Sequence, residues 1–201
     1  MEKYSLKRNL KYMAEAFCRP KALLNNLLNE ELLLYYAILP LILFTIGYET
    51  LYIIDYLMQK PFALPFINLL RLITASENQY YFCQMVLFPI VHLIDFIIFW
   101  VVIHYFSKMF KDYSINSYKM TYFSIFIWDT IGLISLFGDI LLHIYPSWGC
   151  LMFTHPLCGL IGVIYGVFFL NKQSGISKSK ALILYTTSWI SFITFRMLFL
   201  G

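Results

Sequence analysis

Five stretches of this chain, residues 32–57, 82–106, 122–145, 150–170 and 181–200, stay apolar for about 20 residues or more. That is the length a helix rising about 1.5 Å per residue needs to cross the hydrocarbon core of a bilayer. None alternates apolar and polar residues as membrane-barrel strands do, and an open sheet would leave backbone groups unpaired in lipid. The sequence therefore predicts an all-α fold, a polytopic membrane helix bundle with about five transmembrane helices. Composition agrees. With 60% hydrophobic and only 13% charged residues, the chain has too few polar groups to cover a water-facing surface.

The net charge of +4 does not indicate a nucleic-acid partner, because the basic residues lie in short connections between apolar runs and form no continuous polar face. They read as topology signals. Lys3, Lys7, Arg8, Lys11, Arg19 and Lys21 precede the first span. Lys108, Lys111 and Lys119 follow the second, and Lys172, Lys178 and Lys180 follow the fourth. Only Lys60, Arg71 and Arg196 fall on the opposite side. The positive-inside rule then predicts a cytoplasmic N-terminus and a C-terminus across the membrane. The first apolar run begins after about thirty residues and exceeds the length of a signal-peptide core, so the first span is expected to be retained.

Residues 1–31 form a separate cytoplasmic segment ahead of a five-span domain over 32–201. Leu6, Leu10, Met13 and Phe17 recur at helical spacing among Lys3, Lys7, Arg8 and Lys11, and Leu23, Leu24, Leu27 and Leu28 repeat the theme after Pro20. Such an amphipathic helix either lies on an anionic leaflet or packs beneath the bundle, and the sequence leaves both open. The connection from Gln59 to Gln79 is long, and a short interfacial helix is expected over 65–73, with Pro65 at its start.

Ionisable residues within the spans are the candidates for chemistry, since an aspartate at a helix centre costs about 2.5 to 3.5 kcal/mol to insert. His92 and Asp95 share a face of the second span, and Asp129 lies about two turns into the third, so the three could meet. They read either as a proton or cation relay, as a metal site, or as an interhelical clamp with a neutral carboxyl. A second group, Asp139, His143 and His155, gathers toward the outer end, where metal binding and ordinary interfacial polarity are both open. Glu49 and Asp55 are expected to reach water or a polar partner. His104 and Arg196 read as ordinary span-end residues, the arginine snorkelling outward. Cys158, Gly162 and Gly166 recur every four residues on the fourth span and mark a close-packing face, toward another span or a second protomer.

The sequence contains no GxSxG elbow, GxxxxGK[ST] loop, GxGxxG, HExxH or CxxC, so no cofactor and no hydrolase or nucleotide chemistry is implied. The four cysteines are too scattered for a disulfide framework, although Cys83 and Cys150 both fall at outer span ends where a bridge could form.

Several of these features occur together in a known pattern. Phe17-Cys18-Arg19-Pro20 precedes a Leu-rich short helix, and the first span contains Pro40. Tyr80-Tyr81-Phe82-Cys83-Gln84 leads into Pro89-Ile90, and the second span ends at His104-Tyr105-Phe106-Ser107-Lys108. Over most of its length the chain resembles the prokaryotic branch of the Yip-domain family, whose topology has five spans and an inside N-terminus. The resemblance implies a non-catalytic membrane scaffold or membrane-organising protein, since eukaryotic relatives serve vesicle transport with small GTPases and with one another. Expected partners are the bilayer, anionic lipid through the N-terminal segment, and other membrane proteins or a second copy. The buried His and Asp residues, read by themselves, point instead to a small transporter or channel, or to a membrane-embedded metalloenzyme.

Overall fold

The computed structural model describes residues 5–31, 33–58, 72–110 and 114–199, the side chain of Met152 excepted. Two short helices, α1 (Leu6–Cys18) and α2 (Pro20–Asn29), precede five long ones: α3 (Leu33–Met58), α4 (Glu77–Ser107), α5 (Ser117–Ile144), α6 (Thr154–Ser174) and α7 (Lys178–Phe199). A 3-10 turn, Gly149–Phe153, leads into α6. The described residues are helical without strands, and all five long helices are long and apolar enough to cross a membrane. Of the expected interfacial helix over 65–73, only Leu72 and Ile73 lie within the described residues, and they are helical.

Most of the long helices begin earlier or end later than the apolar runs, because polar caps lie beyond the apolar residues. The Ser76 hydroxyl accepts from the Gln79 N–H at 3.2 Å, starting α4 five residues ahead of the apolar run. Asn116 does the same for α5 by accepting from the Lys119 N–H at 3.0 Å. At the end of α6, Gly175 turns the chain at φ +73°, a left-handed cap that only glycine adopts without strain. The α6 start shows the opposite deviation, since the first residues of the 150–170 run are spent on the 3-10 turn.

Around the bundle the neighbours run α4, α3, α5, α6, α7 and back to α4, while α4 also touches α5 across the interior. The polarity of α4 shows why it sits where it does. Val86, Ile90, Leu93, Ile97 and Val101 recur at helical spacing on its exposed side, whereas Gln84, His92 and Asp95 are buried on the other. In water such a face would aggregate, but in hydrocarbon it is the solvent-matched surface.

Close approach is set by glycine where α6 meets its neighbours. A Cβ at Gly162 would come within 2.8 Å of the Trp128 ring on α5, and one at Gly166 would collide with the Tyr185 ring on α7. The absent side chains therefore admit two aromatic rings from within the chain. Tyr185 then accepts the Trp128 indole N–H at 2.9 Å and shares a hydrogen bond with Ser124 Oγ at 3.1 Å. Cys158, a turn away on the same stripe, donates its thiol to the Ile131 carbonyl of α5 at 3.6 Å.

The N-terminal helices dock onto one end of the bundle. Asn9 Nδ2 donates to the Tyr36 carbonyl at 3.0 Å, the Tyr165 hydroxyl to the Ala16 carbonyl at 2.5 Å, and Lys119 Nζ to the Leu28 carbonyl at 2.5 Å. The anticipated apolar stripe is divided: Met13 is buried with Tyr12 and Ala16, whereas Leu6, Leu10 and Phe17 point outward. The reason is that Asn9 bonds to Tyr36 of α3 while Tyr12 and Glu15 pair with Glu30 and Asn26 of the α2 segment, so the docked face is semi-polar and the more apolar face is turned outward.

Candidate functional site

Two polar clusters are embedded among the long helices. The deeper one joins α4, α5 and α7. His92 Nε2 lies 3.1 Å from Asp129 Oδ1, with the two side chains only 3% and 1% exposed. Asp95, one turn further along α4, faces a residue of α7: Arg196 Nη1 is 4.0 Å from its Oδ2. The three residues singled out in the sequence therefore occupy one region but divide between two pairs.

Arg196 sits in the last turn of α7, where outward snorkelling was the expectation. Its guanidinium instead turns into the bundle, with its central carbon 5.2 Å from the Phe88 ring centroid and 5.8 Å from that of Phe44. Side chains on a helix tilt toward its N-terminus, so a long arginine near the far end of α7 reaches back toward the bundle middle. The signal available beforehand was cost: an arginine within an apolar run needs a carboxylate or an aromatic face, and two aspartates were present to supply the former.

Aromatic rings enclose the imidazole. Phe88 stacks on His92 at 5.6 Å with an interplanar angle of 12°, while Phe44 and Phe96 each lie 5.1 Å away. Both carboxylate oxygens of Asp95 are buried and accept no hydrogen bond among the described residues. The Arg196 contact is thus Coulombic, without the fork geometry that makes such pairs strong.

The second cluster lies at the end of the bundle away from α1 and α2. Asp139 accepts from the Tyr48 hydroxyl at 2.8 Å and from His155 Nε2 at 3.0 Å. His143, on the same face of α5, does not join it through side chains. Its Nδ1 is 2.8 Å from the Asp139 main-chain carbonyl, and its Nε2 is 2.6 Å from Asp55 Oδ1. A carbonyl only accepts, so Nδ1 carries its hydrogen; a proton must also lie between Nε2 and the carboxylate. Asp55, expected only to reach water or some polar group, is the partner that ties α3 to α5. Among the described residues no group of three or more His, Cys, Asp or Glu side chains is arranged to hold a metal.

Tyr48 links the clusters, because its ring stacks on Phe88 at 5.4 Å while its hydroxyl reaches Asp139. Between the outer carboxylate and the inner imidazole the packing is therefore aromatic.

No protein family, curated protein or solved structure matches this chain.

Chemistry at the remaining positions is ordinary. His104 Nδ1 is 3.2 Å from Ser117 Oγ, and its ring stacks on Trp100. Cys83 and Cys150, whose pairing was open, are both free thiols.

A third surface is formed by α1 and α2. Leu6, Leu10 and Phe17 are 55%, 51% and 47% exposed, and Lys7, Lys11, Arg19 and Lys21 are exposed around them.

Proposed function

We propose that this chain is a non-catalytic, multi-pass membrane-organising protein of Yip-like type. Its N-terminus is cytoplasmic, and α1 and α2 form a fixed platform against the anionic leaflet. The observation that carries this reading is the outward face of α1, where Leu6, Leu10 and Phe17 stand beside Lys7 and Lys11 on a helix tied to the bundle through its other side. A helix that is docked already has lost its entropy of ordering, so its outward residues engage lipid without that cost. Each basic residue near an anionic surface contributes about 1 kcal/mol. The basic residues at the ends of α5 and α6, Lys119 and Lys172, bind α2 itself and add to the positive side. The partners under this reading are anionic lipid and other membrane proteins, a second copy among them.

Reconstitution into vesicles of mixed phosphatidylglycerol and phosphatidylcholine, each spin-labelled in turn, tests the platform. Phosphatidylglycerol is expected to dominate the motionally restricted fraction, and Lys7→Gln/Lys11→Gln is expected to reduce that preference. Equal restriction of both lipids by the wild type would remove the basis of the proposal.

One observation favours a second reading, a small transporter or channel: the buried carboxylate oxygens of Asp95 accept no hydrogen bond among the described residues, as a group that receives a passing cation would. Proton and monovalent-cation flux into proteoliposomes, present in the wild type and absent in a folded Asp95→Asn/Asp129→Asn variant, would establish it. Against it stand the Arg196 guanidinium, which faces Asp95, and the contact between His92 and Asp129.

A further inference from the structure

Where α1 meets α2, two hollows share Pro20 in their walls. The first, about 370 Å³ in volume, is an apolar groove running from the elbow onto the outer surface of the bundle. Its walls are Ile131 and Ile134 of α5 and Ile161 and Ile164 of α6, closed at the elbow by Phe17 and Pro20. Tyr165 also lines it, but its hydroxyl is spent on the Ala16 carbonyl, so the wall stays apolar. The second hollow is shallow and is lined by Pro20 and Ala22 together with the polar side chains of Arg19, Lys21 and Asn25.

Arg19 and Lys21 are exposed and form no ion pair among the described residues. The nearby carboxylate of Glu15 is turned toward Asn26 and Lys11, and Asn25 is engaged by Lys172. An occupant must therefore carry an anionic group at the elbow and a hydrocarbon chain extending along α5 and α6 toward the bundle middle. We propose that a single anionic phospholipid of the cytoplasmic leaflet seats here. One acyl chain lies between Ile134 and Ile164, and its phosphate rests on Arg19 and Lys21. A groove of a few hundred cubic ångströms is within the range of small-ligand sites. A charged head above an apolar slot accounts for both hollows with one ligand.

The site deepens the platform reading and rests on it for the identity of the leaflet. It differs in being stoichiometric and in depending on the groove, whereas the platform depends on Lys7 and Lys11 and on area.

Native mass spectrometry of the full chain, extracted from membranes holding equal phosphatidylglycerol and phosphatidylcholine, tests it. The wild type is expected to retain one phosphatidylglycerol. Ile134→Trp/Ile164→Trp places bulk at two positions already 44% and 47% exposed, so folding is undisturbed while the groove is filled. That variant is expected to lose the retained lipid about tenfold or more. Arg19→Gln/Lys21→Gln is expected to lose the preference for the anionic headgroup, and Lys7→Gln/Lys11→Gln to keep both lipid and preference. Equal retention of the two lipids by the wild type, or retention unchanged in both the groove and the elbow variants, overturns the site. A spin-label preference that persists while no lipid survives extraction overturns the site and leaves the platform standing.

Discussion

Arg196, in the last turn of α7, directs its guanidinium into the bundle and faces Asp95 of α4 at 4.0 Å. The pair joins two neighbouring helices that also share the Phe96–Phe192 stack. Asp95 is fully buried, so its charge depends on this one cation.

Removing one member of a buried pair is therefore worse than removing both. Arg196→Gln is expected to destabilise the bundle by about 3 kcal/mol, the cost of stranding a buried charge, and Asp95→Asn in the same chain to recover most of the loss. Thermal unfolding of the single and double variants in nanodiscs checks this. A double variant no more stable than Arg196→Gln would show that the two side chains are not coupled.

Gly166 admits the Tyr185 ring where any Cβ would collide. Gly166→Ala is expected to cost about 1 to 3 kcal/mol by overpacking, and to disturb the hydrogen bonds that link Tyr185 with Trp128 and Ser124. Gly149→Ala, where a Cβ meets nothing within 4 Å, serves as the control and should leave stability unchanged. Tryptophan fluorescence during denaturation reports both, since Trp128 lies at the contact.

The docking of α1 depends on few hydrogen bonds. Tyr165→Phe deletes the one to the Ala16 carbonyl and leaves a buried acceptor, a loss of about 1 to 2 kcal/mol. The consequence is expected to be local: faster amide hydrogen exchange in α1 and α2, with α5 and α6 unaffected. Uniformly faster exchange across all helices would mean that α1 is part of one cooperative unit with the bundle.

Alkali should also release α1. Burial, with the Glu30 carboxylate nearby, pushes the Tyr12 phenol up to about 12 from its usual 10.0. The folded state holds this proton more tightly than the unfolded one, so the stabilisation is complete below pH 10 and is lost as pH rises toward about 12. The loss amounts to about 3 kcal/mol, given about 1.4 kcal/mol per pH unit. Limited proteolysis of residues 6–29 should accelerate across that window in the wild type and show no such step in Tyr12→Phe.

Much of the arrangement was legible in residues that are costly in lipid. Asp129 and His92 stand out because they lie deep within their apolar runs, and the cost of burying them predicts that they face one another or water. Asp139 and His155 come together for a similar reason, near an end that water reaches. What could not be read was the division of partners. Helical spacing places Asp139 and His143 on one face, yet His143 takes Asp55 of α3, because its Nδ1 is held by the carbonyl one turn back on its own helix. Spacing within a helix says which way a side chain points and nothing about which neighbouring helix stands there. The N-terminal stripe is legible only in part: Leu6, Leu10 and Phe17 lie outward, one of the two orientations the sequence leaves open, whereas Met13 is buried beside Asn9 and Tyr12, whose hydrogen bonds go to Tyr36 and Glu30.

The sequence by itself determined the all-α class, the number of long apolar helices and their approximate limits, because hydropathy is summed over many residues and each votes the same way. Tertiary structure alone decided that Arg196 turns inward, that Gly162 and Gly166 receive Trp128 and Tyr185, and that an apolar groove and two exposed cations meet at the α1–α2 elbow. Each of these depends on the order of helices around the bundle and on side-chain reach between them. Apolar helices carry almost no pattern that distinguishes one neighbour from another, so that order is set by packing and by a handful of polar pairs.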